Sequence, residues 1–134
     1  MKIKKISHIA VAASDSDKAK VLYEEILGLH FSGSEAVENE GVTTHFYQAG
    51  ESNVEVLEPL YEETPVGKFI RKRGPGLHHL ALEVEDLDSY VQKLKAAGVV
   101  LLSEEPTRGA HNMRIIFIHP KSAGGVLIEL CEQQ

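Results

Sequence analysis

Eleven residues near the start of the chain recur 71 positions later, and this internal repeat constrains the fold more than any other feature. Ser7-His8-Ile9-Ala10-Val11-Ala12-Ala13-Ser14-Asp15-Ser16-Asp17 aligns with His78-His79-Leu80-Ala81-Leu82-Glu83-Val84-Glu85-Asp86-Leu87-Asp88. His, Ala, Asp and Asp fall at matching places. Each copy alternates as a strand does and then runs into an acidic helix start. The first helix is expected from Asp15, as N-cap, to Gly28, with Ala19, Leu22, Tyr23 and Ile26 as its apolar stripe. The second is expected from Asp86 to Gly98, burying Leu87, Tyr90, Val91 and Leu94.

After each helix the pattern returns to strands. In the first half these are Leu29–Val37, Val42–Gln48 and Val54–Pro59. In the second they are Val99–Glu104, Arg114–His119 and Val126–Cys131. Gly41, Gly50, Gly109 and Gly124-Gly125 separate them. Val66, Phe69 and Ile70 suggest a short helix within the connecting segment. The pattern is a βαβββ unit written twice, an α+β fold in which two modules make a curled mixed sheet. It predicts one domain over 1–134, with module 1 at about 1–60, a linker at about 61–75 and module 2 at about 76–134.

Within this frame four residues are out of place. Glu55 stands in Asn53-Val54-Glu55-Val56-Leu57 and Glu129 in Gly125-Val126-Leu127-Ile128-Glu129-Leu130-Cys131. A carboxylate among strand-forming apolar residues is costly to bury without a cation or strong donors beside it. His8 and His79 occupy similar settings on the first strand of each half. A period of two puts His8, Ala10 and Ala12 on one face, and His79, Ala81 and Glu83 likewise. Glu55 shares its face with Asn53 and Leu57, and Glu129 with Leu127 and Cys131. The alanines leave room for a ligand. Each half thus offers one His and one Glu, and four such side chains facing one point form a divalent metal site.

Two imidazoles and two carboxylates suit Co, Mn, Ni, Zn or Fe with water in open positions, and the lack of thiolates speaks against a closed structural zinc site. His30, His45, His111 and His119 read singly as hydrogen-bonded core or surface residues, and parity turns His78 away from His79. Cys131 reads as a small core residue.

Over 134 residues, 43% hydrophobic and 25% charged, the composition is that of a soluble globular domain. A net charge of −6 argues against nucleic acid or an anionic membrane as main partner. The single cysteine suits a reducing compartment. Met1-Lys2-Ile3-Lys4-Lys5 has no signal-peptide pattern, so a cytoplasmic location is expected.

The strings Ser7-His8-Ile9-Ala10-Val11, Glu55-Val56-Leu57-Glu58-Pro59-Leu60 and Gly76-Leu77-His78-His79-Leu80-Ala81 carry a family resemblance. So does His119-Pro120-Lys121-Ser122, followed by Gly125-Val126-Leu127-Ile128-Glu129-Leu130. The chain resembles the vicinal oxygen chelate (glyoxalase/bleomycin resistance/dioxygenase) superfamily, and within it the methylmalonyl-CoA epimerases, over nearly its whole length. The resemblance implies metal binding by His8, Glu55, His79 and Glu129, with Glu129 as ligand and catalytic base. It implies proton transfer at the α-carbon of a small acyl-CoA or thioester substrate through an enolate, in a homodimer. Some relatives carry Gln at the place of Glu55. Some use a second Glu where Thr44 stands here, and threonine is a poor base, so Glu55 becomes the candidate for the second proton transfer. Lys121, after a proline, reads as a solvated loop lysine with coenzyme A phosphates as its other reading. Lactoylglutathione lyase (glyoxalase I) chemistry uses the same His, Glu, His, Glu set and stays open as the alternative. A metal-free ligand-sequestering module is the non-enzyme alternative.

Overall fold

The computed structural model describes residues 1–134 and divides into two compact units, His8–His78 and Met1–Ser7 with His79–Gln134. Strand β1 (Lys2–Ala12) leads into helix α1 (Ser16–Lys20), which continues as a π-helical stretch over Val21–Ile26. Strands β2 (His30–Val37), β3 (Val42–Ala49) and β4 (Ser52–Pro59) follow. Helix α2 (Pro65–Arg73) precedes strand β5 (Gly76–Glu85), helix α3 (Leu87–Ala96) and strands β6 (Thr107–Arg108), β7 (Arg114–Ile118) and β8 (Ile128–Glu132). Each half therefore reads βαβββ, and α2 is the short helix expected in the connecting segment.

In the first unit the strand order is β2-β3-β4-β1, with β1 parallel to β4 and the other pairs antiparallel. In the second it is β5-β8-β7-β6, with β5 parallel to β8. The same mixed pattern thus recurs with the same parallel pair, first strand to last.

Asp15 caps α1 as expected, accepting from Lys18 N at 3.1 Å, and Gly28 ends the segment at φ 79°. The apolar stripe does not hold. Leu22 is 46% and Ile26 70% exposed, whereas Tyr23 stacks on Tyr47 at 5.4 Å. The cause is the π turn, in which Leu27 N donates to Leu22 O at 2.9 Å. A wider turn shifts every later residue off a 3.6-residue count.

Helix α3 behaves as its pattern predicts. Leu87 and Val91 are buried with Val84, Ile116 and Leu130, and Tyr90 and Leu94 pack against them. Glu132 on β8 accepts from the Asp86 and Leu87 amides at 2.7 and 3.2 Å, and Arg114 bridges Glu132 and Asp88. The helix start is thereby tied to the sheet it covers.

The strand expected at Val99–Glu104 is reduced to one bridge, Leu101 to Ile118. Leu102 N still donates to Phe117 O, and His119 N to Val100 O. Beyond that point Ser103 Oγ turns onto Glu105 O, Lys95 Nζ holds Glu104 O, and Pro106 offers no amide. The pairing resumes only at Thr107–Arg108. The last strand likewise begins at Ile128 rather than Val126, because Gly124 and Gly125 take positive φ and hold Val126 in the turn.

Thr64 caps α2 through Gly67 N at 3.1 Å. A Cβ on Gly67 would lie 2.4 Å from Glu62 O and 2.9 Å from Tyr61 O, so only glycine lets the helix start fold back on its entry loop. Gly67→Ala is expected to destabilise the chain by about 1–3 kcal/mol. Urea unfolding should show this as a lower midpoint at unchanged slope.

Candidate metal centre and active site

Each unit brings one His and one Glu together. On the His8–His78 side, β1 and β4 pair so that Ala10 lies beside Glu55, and β3 places Phe46 on its other flank. In the other unit Ala81 lies beside Glu129 and Phe117 flanks it. The histidine precedes the alanine by two residues in both, so it shares the carboxylate's face. Phe46 and Phe117 are separated by the same 71 positions as the histidines, a signal readable in the sequence.

The two pairs are close and sheltered. His8 Nδ1 lies 3.1 Å from Glu55 Oε2, and His79 Nε2 lies 3.3 Å from Glu129 Oε1. All four residues are under a tenth exposed. Burial pushes the His79 imidazole down to about 4, so at neutral pH it is uncharged. Phe117 meets its ring edge-on at 5.3 Å and fixes the ring plane. A buried carboxylate whose neighbour is a neutral imidazole lacks a full countercharge. The donor set, imidazole nitrogen and carboxylate oxygen in each unit, fits a divalent first-row ion.

The other histidines play the roles expected of them singly. His45, on the opposite face, joins Ser34 Oγ at 2.7 Å to Glu58 Oε1 at 3.2 Å. His78 points away from the His79 face and stands edge-on to Phe69 at 4.8 Å. His119 Nδ1 accepts from Lys121 N and caps a short turn. His30 starts β2, and His111 sits in a turn at φ 57°. Cys131 is fully buried with Ala81 and Ile115, a core residue. Lys121 is exposed within that turn. Thr44 lies on the His8 face of β3 and is 2% exposed. Glu83, also buried on the ligand face of its unit, contacts Lys4 Nζ at 3.1 Å and Gln133 Nε2 at 3.4 Å. The sequence placed Glu83 on that face; its partners come from strand ends distant in sequence.

Residues 7–117 match the model of the Glyoxalase/Bleomycin resistance protein/Dioxygenase superfamily. The chain belongs to that superfamily, and its two βαβββ modules are that fold. Its relatives within it include methylmalonyl-CoA epimerases. The mitochondrial methylmalonyl-CoA epimerase of Homo sapiens is 38% identical over 127 residues, covering 94% of this chain and 72% of that protein. The crystal structure of methylmalonyl-CoA epimerase from Mycobacterium tuberculosis superposes with a TM-score of 0.94 at 37% identity, covering 98% of this chain and 89% of that one. A structure of methylmalonyl-CoA epimerase in complex with methylmalonyl-CoA and NH4+ gives 0.92 at 33% identity, covering 98% and 96%. The chain is an enzyme of this epimerase branch, an isomerase. No helix is long and apolar enough to cross a membrane.

Proposed function

We propose that the chain epimerises an acyl-CoA thioester of the methylmalonyl-CoA type by moving the proton on its α-carbon. The observation that carries this is the pair of buried His–Glu contacts at the same register in two copies of one module. His8, Glu55, His79 and Glu129 together would hold one divalent ion, of Co, Mn, Ni, Zn or Fe. When bound, such an ion draws charge from the thioester and carboxylate oxygens of the substrate as the enolate develops. Glu129 takes the α-proton on a carboxylate oxygen, and its burial keeps water from competing for it. Glu55, its counterpart in the other module, returns a proton to the opposite face, the duty that Thr44 has no group to perform. Lys121, exposed beside His119, is free to meet phosphate but is not required by this chemistry.

Isomerisation of a glutathione hemithioacetal uses the same four ligands, so the site chemistry alone does not choose. The choice of epimerisation rests on relatives that match nearly the whole of this chain. A metal-free sequestering module would have no use for two buried carboxylates. The reading takes the chain as one catalytic domain of two modules joined near residues 61–75, in the cytoplasm, with no nucleic-acid or membrane partner. It takes the active form as a homodimer. Supporting that is the π-helical stretch with Ile26 70% and Leu27 60% exposed, an apolar ridge without a covering element in its own chain.

Proton NMR in deuterium oxide is expected to show exchange at the α-carbon of methylmalonyl-CoA and none with the glutathione hemithioacetal. The reverse result would move the chain to the lyase class. Glu129→Gln and Glu55→Gln should each keep metal and lower kcat by roughly 10²–10⁴-fold. Parent-rate epimerisation by the Glu55 variant would leave it a ligand only. Elemental analysis of the His8→Ala/His79→Ala double variant should find the ion lost and the thermal midpoint no longer raised by added metal. Full occupancy would rule the quartet out. Sedimentation at micromolar concentration should give twice the chain mass of 14.7 kDa; a single-chain mass would remove the dimer.

A further inference from the structure

On the sheet face away from the metal ligands, a polar chain crosses the first module where its copy is apolar. Ser34 on β2 pairs with His45 on β3, and Ser34 Oγ lies 2.7 Å from His45 Nδ1. His45 Nε2 lies 3.2 Å from Glu58 Oε1 on β4, and Glu58 Oε2 accepts from Ser16 Oγ of α1 at 3.1 Å. In the other module Phe117 opposite Glu129 matches Phe46 opposite Glu55. Ile116 therefore stands where His45 does, and Glu132 where Glu58 does. Pro106, next to the Thr107 that pairs with Ile115, takes the place of Ser34. Ile116 is 1% exposed and packs with Leu87, Val91 and Leu130. An isoleucine thus serves the module at this register, and packing does not call for a Ser–His–Glu chain.

Chemistry fixes the direction of the chain. An ionised carboxylate only accepts, so Glu58 takes the Nε2 proton of a neutral His45. Nδ1 then carries the lone pair, and the Ser34 hydroxyl donates to it. Ser16 holds the second oxygen of Glu58, so the carboxylate is gripped at both ends. The His45 side chain is 16% exposed, whereas Ser34 is open to solvent, which sets a sheltered base under an accessible hydroxyl. Hydroxyl, imidazole and carboxylate joined in this order activate a serine as nucleophile on any fold that presents them. Strand β2 lies at the sheet edge, where alternate residues turn their amides outward. One of the adjacent residues Ser34 and Glu35 therefore points an N–H out beside the hydroxyl, the donor that a tetrahedral oxyanion needs. Phe31, half-buried and paired with Tyr47, stands two rungs along, about 7 Å away. Lys20 Nζ sits 4.6 Å from the centroid of its ring. An aromatic group meeting that ring edge to face is favoured.

We propose that Ser34, His45 and Glu58 form a second, hydrolytic site that cleaves aryl esters of small carboxylic acids. It shares no residue with the epimerase centre and does not depend on that reading. Ser34 Oγ attacks the ester carbonyl carbon while its proton passes to His45 Nδ1. The bond from that carbon to the aryl oxygen breaks, and the oxygen leaves with the proton from His45 as a phenol. Water then attacks the acyl group on Ser34 and gives its proton to His45. The acid departs, and Ser34 Oγ regains a proton from His45. Ester and water are consumed, acid and phenol are released, and nothing is oxidised or reduced. Glu58 and Ser16 are positioning residues, which hold the imidazole in the tautomer that keeps Nδ1 free to accept.

The test mixes the full chain with 4-nitrophenyl acetate, follows release of 4-nitrophenol by stopped flow, and maps the acetyl group by peptide mass. The parent should give a burst of one 4-nitrophenol per chain, with the acetyl group on Ser34, followed by slower turnover. Ser34→Ala should lose the burst. His45→Ile, which installs the residue that the other module carries, should lower the acylation rate about 100-fold or more at an unchanged thermal midpoint. Glu58→Gln should lower that rate and Glu58→Asp recover part of it, a rescue that a merely structural carboxylate would not show. Release no faster than with an equal concentration of free imidazole would overturn the proposal. So would an acetyl group found on lysines or tyrosines and not on Ser34, or a parent-rate burst in Ser34→Ala. Each of these outcomes leaves the epimerase reading untouched, because that reading is tested on α-proton exchange.

Discussion

Keeping a carboxylate dry is the constraint around which this chain is organised. Removing an ionised group from water costs several kcal/mol even after the protein relaxes, on the order of the net stability of a small domain. The chain does this with Glu55 and again with Glu129, beside imidazoles held 3.1 and 3.3 Å away. A neutral imidazole offsets only part of that cost, and desolvation keeps His79 neutral. A cation held at such a pair would offset the rest, and metal binding would then add directly to folding stability.

The parts of the fold legible in the sequence are those governed by strand parity. His8-x-Ala10 and His79-x-Ala81 fix which face is buried, and a slip by one residue would turn each histidine outward. The parallel pairing of first strand with last follows from the βαβββ order and brings each Glu beside its alanine. What was illegible depends on hydrogen bonds that leave no period. The π turn after Lys20 rotates Ile26 into solvent although its spacing reads as core. Val99–Glu104 has strand composition, yet Ser103, Lys95 and Pro106 draw its end out of register. The Lys4–Glu83 pair joins residues too far apart in sequence for any local rule.

Duplication explains why the two modules agree at the ligand rung, where His, Ala, Glu and Phe recur. It also makes the disagreements informative, since each copy serves as the control for the other. One module fills its next row with Glu83, Ile115 and Cys131 and ties Glu83 to Lys4 and Gln133. The other leaves Ala12 small, omits a side chain at Gly33 and buries a threonine where its copy buries an isoleucine. The first row is filled by larger side chains, and the second is built from smaller ones.

Stability runs against the threonine at position 44. A hydroxyl placed among buried apolar side chains costs about 1–3 kcal/mol unless a hydrogen bond offsets it, and isoleucine at the same register packs without that cost. Thr44 persists in a row whose other polar member, Glu35, opens to solvent at the sheet edge. The same register in the other module is filled by Ile115, buried with Ala81 and Cys131, so two copies of one row are built from different chemistry.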